Sequence, residues 1–162
     1  MNIPKEPKYS RPEIERRWLP IVEKLPNLDT LEAWYIQDNY LQDSRLRLRK
    51  MYVIGDESTM RYKICKKYGK TSDISEPIAN IYLTKDEYEK FTSLDARILV
   101  KRKYNFPYKG NKFVISVFEG SELITVEAEF ESEEQAASAE IPDFVGREVS
   151  ADREYESATI AV

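Results

Sequence analysis

The chain has 162 residues, of which 41% are hydrophobic and 33% charged, a balance that excludes both a disordered polymer and an apolar membrane bundle and allows one domain with a continuous core. It contains no histidine, so every mechanism resting on an imidazole base or ligand is excluded, including Ser-His and Cys-His hydrolysis and His-ligated zinc. Its single cysteine, Cys65, cannot form an internal disulfide, and 25 basic against 29 acidic residues give a net charge of -4, which argues against a general nucleic-acid surface. No apolar run of membrane-spanning length and no signal-type segment at Met1–Glu6 is present, so a cytoplasmic protein with no membrane partner is expected.

In chain order, the first twelve residues carry three prolines among charges and are expected to form an irregular arm, followed by a single domain over residues 13–162. Period-2 patterning or β-branched and aromatic enrichment then predicts strands at Glu13–Leu19, Trp34–Leu41, Arg45–Ile54, Met60–Tyr68 and Pro77–Thr84. Between the first two of these, Asp29 or Thr30 is a candidate cap for a short helix. Thr84-Lys85-Asp86-Glu87 reads as a capping box opening a helix through Tyr88–Leu94. Strands follow at Ala96–Tyr104, Lys112–Phe118 and Leu123–Phe130, and Ser132-Glu133-Glu134-Gln135 opens a second helix through Ala136–Glu140. Eight strands with helices between them predict an α+β fold, mainly antiparallel β, in which an eight-stranded sheet closes or curves strongly with the helices packed outside.

Successive residues of a strand face opposite sides, and here the residues alternating with the apolar ones are charged and segregated by sign. Arg45, Arg47 and Arg49 alternate with Leu46 and Leu48; Lys63 and Lys67 share a face with Cys65; Arg97, Lys101 and Lys103 lie opposite Ile98 and Val100. Glu13 and Glu15 at the start, and Glu127 and Glu129 near the end, repeat the pattern with the opposite sign. A solvated face normally mixes charges, so whole faces of one sign point to a ligand. Turned into a barrel, they would form a basic wall and an acidic wall, satisfied together by an anion and a divalent cation. Carboxylate oxygens without thiolate or imidazole select magnesium, manganese or calcium, and a polyphosphate bridged to such a cation would meet both walls.

These residues resemble the CYTH superfamily, the triphosphate tunnel metalloenzymes, over nearly the whole chain. Glu13-Ile14-Glu15-Arg16-Arg17-Trp18-Leu19 is similar to the family's Glu-x-Glu-x-Lys signature, with Arg17 for lysine. Ile36-Gln37-Asp38-Asn39-Tyr40-Leu41 resembles its Gln-x-x-Tyr-Leu segment, Arg47 and Arg49 its Arg-x-Arg strand, and Cys65-Lys66-Lys67 its Thr-x-Lys strand with Cys65 for threonine. Ile81-Tyr82-Leu83-Thr84 with Glu87-Tyr88 resembles a strand-into-helix junction, and Lys101-Arg102-Lys103-Tyr104 a Lys-x-Arg-Tyr strand. Phe113 to Gly120, Glu127-Ala128-Glu129 and Pro142 to Val149, with Asp152 and Tyr155, complete the series.

The resemblance implies an eight-stranded antiparallel tunnel and a magnesium- or manganese-dependent triphosphatase. It assigns phosphate binding to Arg47, Arg49, Lys67, Lys101 and Lys103, metal binding to Glu13, Glu15, Glu127, Glu129 and Glu148, and catalysis to Glu13, Glu15 and Arg17. Its partner would be a small molecule carrying a triphosphate rather than a nucleic acid, and a homodimer is left open. With no histidine, a glutamate or metal-activated water must serve as base. An adenylyl cyclase of the same superfamily and a non-catalytic polyphosphate-binding module are the alternatives. Arg17 and Ser116, which stands where relatives carry aspartate, favour the second of these, while Glu76, Ile78 and Asn80 offer one carboxylate where some relatives place two. Cys65 reads as a small packed residue, and Trp18, Trp34, Tyr40, Phe113, Phe118 and Tyr155 as core or rim aromatics.

Overall fold

The computed structural model describes residues 7–162. Nine strands run antiparallel: β1 (Arg11–Pro20), β2 (Ala33–Leu41), β3 (Leu46–Val53), β4 (Asp56–Lys67), β5 (Ser75–Leu83), β6 (Ala96–Tyr108), β7 (Asn111–Phe118), β8 (Ile124–Phe130) and β9 (Val145–Glu148). Their order is β5-β4-β3-β2-β6-β7-β8-β1-β9, and a further pairing of β5 with β1 closes the first eight into a barrel. The expected fold class is present, with helices α1 (Lys85–Phe91), α2 (Glu133–Ser138) and α3 (Ser157–Ile160).

Closure depends on β1 serving three neighbours. Its residues Arg11–Ile14 pair with Ile78–Ser75 of β5, Ile14–Trp18 pair with Phe130–Val126 of β8, and Trp18 and Pro20 lie opposite Glu148 and Val145 of β9. β9 therefore takes over the edge that β5 leaves, and it approaches so closely that a Cβ on Gly146 would stand 2.8 Å from the Leu19 carbonyl oxygen. No sequence periodicity marks this four-residue strand, which is why the expected count of strands stopped at eight. Arg11 and Pro12, expected in the arm, already belong to β1; the arm's residues 1–6 lie outside the described residues.

Local signals set most boundaries. Thr84 and Glu87 form the reciprocal capping box at α1. At α2, Ser132 accepts from Gln135 N but the Gln135 side chain accepts from Glu131 N, one residue earlier than a full box requires. The helix stops at Ser138, not Glu140, because Ala139 turns extended and carries the chain toward Phe144 in the core. Near residue 29 there is only a 3-10 turn, Leu28–Thr30, capped by Asn27 and not by Asp29 or Thr30. β6 runs four residues further than expected, to Tyr108, where Lys109 (φ 45°) and Gly110 (φ 80°) make the two-residue turn with both residues left-handed that suits the twist of a hairpin.

The main apolar core lies on the outer surface of the barrel. Ile14, Trp18, Phe113, Ile115, Val126, Ala128 and Phe130 project from β1, β7 and β8 and are covered by Ala136 of α2 and by Phe144 and Val145. A smaller cluster joins Leu99 and Phe118 to Ala161 near the C-terminus. No helix among the described residues is long and apolar enough to cross a membrane.

Candidate functional site

The opposite faces of these strands enclose a cavity of about 390 Å³. Glu13, Glu15 and Arg17 enter it from β1, Tyr40 from β2, Arg47 and Arg49 from β3, Lys63 and Lys67 from β4, Glu76 and Asn80 from β5, Lys101 and Lys103 from β6, and Glu127 and Glu129 from β8. Eleven lysines or arginines line it against seven aspartates or glutamates, so a chain that is acidic overall has a basic interior. Alternation delivers this directly: Arg47 and Arg49 turn inward because Leu46 and Leu48 turn out, and the same parity puts Glu127 and Glu129 inside while Val126 and Ala128 pack under α2.

Carboxylate oxygens of Glu13, Glu15 and Glu129 lie within 4.8 Å of one another at one side of the cavity. Burial, reinforced by the negative charge of Glu127, pushes the Glu15 carboxyl up to about 7. Burial acts the same way on Glu13, but Lys67, whose Nζ donates to Glu13 Oε1 at 2.9 Å, outweighs it and holds that carboxyl below its ordinary value. The lysine gains in turn: although burial opposes its charge, Glu13 holds it protonated beyond the usual range.

Two expected metal ligands sit elsewhere. Glu127 is buried among cations: Arg17 Nε donates to Oε1 at 3.3 Å and Lys103 Nζ to Oε2 at 3.5 Å, and these charges with Lys101 overcome burial and keep it ionised. Glu148 is exposed on the outer side of β9, where Arg16 donates to both its oxygens at 2.9 and 2.7 Å. Register explains the displacement, since Glu148 stands opposite Trp18, and Arg16 and Trp18 have the parity that faces away from the lumen. Arg17 bridges the acidic group, with Nη2 2.7 Å from Glu15 Oε1, so it sits among carboxylates and apart from the basic wall.

On the basic wall Arg47, Arg49, Lys67, Lys101 and Lys103 all reach the cavity, but they are not equivalent. Arg49 is already engaged, donating Nε and Nη2 to the two oxygens of Asp38 at 2.6 and 2.7 Å. Lys101 is almost fully buried; burial and then Lys103 press its ammonium down to about 7, and its Nζ donates to Ser157 Oγ at 2.8 Å. Lys63, on the expected basic face yet unassigned in the sequence reading, is lowered to about 8 by burial and by the neighbouring Arg49 and Arg47. Arg47 keeps its charge against burial through Asp38, but its Nε has no hydrogen-bond partner among the described residues.

Two further contributors were not legible as site residues. Asp38 turns inward with Tyr40, whereas Gln37, the residue matched to the family segment, faces the other way and donates to Asn39. Period-2 counting back from Tyr40 would have found Asp38. The C-terminal segment also lines the cavity through Ser150, Glu156, Ser157 and Ala158. It is held by Lys70, 3.2 Å from Glu156, by Arg97 donating to the Ala158 and Ala161 carbonyls, and by paired backbone bonds between Ile98 and Val162. These are long-range contacts with no sequence motif. Ser116 is buried, opposite Thr125, with its hydroxyl unpartnered among the described residues, and Cys65 is buried beside Arg47, as a packing residue would be.

No protein-family model matches this sequence, and no curated protein matches it. Among solved structures, the inorganic triphosphatase NE1496 is similar over 92% of this chain and 93% of that chain, with a TM-score of 0.60 and 26% identity. PH1819 from Pyrococcus horikoshii OT3 matches over 77% of this chain and 82% of its own with a TM-score of 0.54 at 18% identity. The bh2851 protein of Bacillus halodurans, a candidate adenylate cyclase, matches over 80% and 86% with a TM-score of 0.55 at 16% identity, so these last two share the fold. An eight-stranded antiparallel barrel closed through β1 and β5, carrying its charged residues inside and its apolar core outside, together with the likeness to NE1496, is consistent with a CYTH domain.

Proposed function

We propose that this protein is a metal-dependent hydrolase of triphosphates, with inorganic triphosphate as the first substrate to test. The observation that carries the reading is the convergence of three glutamates within 4.8 Å of one another and a wall of cations in one cavity of about 390 Å³, a size suited to a small ligand. The similarity to NE1496, an inorganic triphosphatase, supports it.

In this reading Arg47, Arg49, Lys67, Lys101 and Lys103, joined by Lys63, bind phosphate oxygens through charge-assisted hydrogen bonds. The donor set of Glu13, Glu15 and Glu129 consists of hard oxygens and fits Mg²⁺ or Mn²⁺. Such an ion, when bound, supplies charge neutralisation of the phosphates and acidification of water. Glu13 and Glu15 also accept hydrogen bonds from the attacking water and orient it. Arg17 holds the Glu15 and Glu127 carboxylates in place, and Glu127 anchors the Lys103 ammonium by accepting from it. Because the cations are fixed before the anion arrives, little reorganisation is needed as charge shifts to the leaving phosphate oxygen.

The test is release of phosphate, pyrophosphate and cyclic AMP from inorganic triphosphate and ATP, each with Mg²⁺, Mn²⁺ or EDTA. Metal-dependent phosphate release is expected. Cyclic AMP with pyrophosphate would replace the hydrolase with a cyclase, and thermal stabilisation by the anion without any product would replace it with a binding module.

A further inference from the structure

Asp38 is the one acidic side chain set into the basic wall of β2 and β3, and it is completely buried. It stands directly opposite Arg49 across the strand pair, and its two oxygens accept the two parallel hydrogen bonds that fix a guanidinium plane. The same Oδ1 lies 3.7 Å from Arg47 Nε, too far for a hydrogen bond yet close enough to hold the second guanidinium beside the first. Among the described residues the buried Arg47 Nε is thereby left without a hydrogen-bond partner while the side chain reaches into the cavity.

A buried ion pair is weak evidence for stability, because two apolar residues of similar volume often serve as well. A negative charge beneath an anion-binding wall also costs affinity on Coulombic grounds alone. Its presence therefore calls for a compensating benefit. We infer that Asp38 is a positioning residue for the phosphate wall, fixing Arg49 in one plane and Arg47 beside it so that their free N–H groups meet the anion in a preset arrangement. The inference rests on the anion-binding reading of the lumen and adds to it a residue whose charge has the wrong sign for a direct contact.

Charge and position make opposite predictions for Asp38→Asn, which keeps the size and one acceptor but removes the negative charge. If only net charge matters, the lumen becomes more positive and binds inorganic tripolyphosphate more tightly. If Asp38 positions the arginines, affinity falls by about tenfold despite the added positive charge, the scale of losing a charge-assisted hydrogen bond. Calorimetric binding of tripolyphosphate to folded wild type and variant, with the fold checked by circular dichroism, decides between them. A fall supports positioning; an unchanged or higher affinity overturns it. In the activity assay positioning also predicts a higher KM at nearly constant kcat. Should Asp38→Asn not fold, Arg49→Lys serves instead, since it retains both charges but cannot form the two-bond fork: a comparable fall supports the inference and unchanged affinity overturns it. Failure of the wild type to bind tripolyphosphate at all would remove the anion-binding reading together with this inference, an outcome distinct from normal wild-type binding with an unweakened variant.

Discussion

The two faces of β8 belong to different physical regimes. Val126, Ala128 and Phe130 pack against Trp18, Phe113 and Phe144 under α2, where stability comes from area removed from water and from close packing. Glu127 and Glu129 alternate with them and face a cavity in which carboxylates are crowded and held by Arg17 and Lys103. A conventional barrel is stabilised from within; this one is stabilised from without, and its lumen stores like-charge repulsion for a ligand to relieve. Mutations on the outer and inner faces of the barrel wall should therefore have opposite signatures.

The largest effect belongs to the outer face. Phe113→Ala should lower stability by about 3–5 kcal/mol through the cavity it leaves, seen in denaturant unfolding, while the surviving folded fraction keeps its affinity for tripolyphosphate. A loss of affinity without loss of stability would break the division. On the inner face, Glu15→Gln should reduce metal-dependent turnover about a hundredfold, the scale of removing one preorganised group, with melting temperature equal to or above wild type. The reason is that burial and Glu127 already oppose the ionised Glu15, so neutralising it relieves strain. A Glu15→Gln protein that melted well below wild type would place this carboxylate in the stabilising regime instead.

A smaller effect should appear with pH. Lys63 and Lys101 are depressed to about 8 and about 7 in the folded protein, so at pH values from these up to the unfolded value of 10.5 the unfolded chain binds more protons. On account of these two groups the ligand-free protein gains stability as pH rises through that window, and it loses this gain as pH falls through the folded values. Melting temperature followed from pH 7 to pH 10 should rise less in Lys63→Met than in wild type; equal slopes would mean that Lys63 is not desolvated. The smallest effect concerns Glu148, exposed and paired with Arg16 on the outside. Glu148→Gln should cost no more than about 1 kcal/mol and leave metal dependence unchanged, and a shifted metal requirement would return this residue to the lumen.

Much of this arrangement was readable from local pattern. Period-2 alternation gave the strands and the sign of each inward face, and the Thr84–Glu87 capping box gave α1, because both are set by neighbours within a few residues. Arg47, Arg49, Lys67, Lys101, Lys103, Glu13, Glu15 and Glu129 were all found on the correct side by parity. The two glutamates that stand apart from the carboxylate cluster do so for one reason. Glu148 has a neighbour of opposite charge on Arg16 only because β9 lies along β1, and Glu127 faces Arg17 and Lys103 only because β1 and β6 both come to stand near β8.

The sequence by itself determined which residues could face a common interior, since alternation along an extended chain is a local geometric fact. It also excluded imidazole chemistry and left oxygen ligands and cations as the working groups. Only the tertiary structure decided which charges meet: that Asp38 takes Arg49, that Glu127 serves cations while Glu13, Glu15 and Glu129 cluster, and that Ser150, Glu156, Ser157 and Ala158 line the cavity. Pairing across a closed barrel depends on register and strand order, and both are fixed by contacts between segments tens of residues apart that no local periodicity encodes.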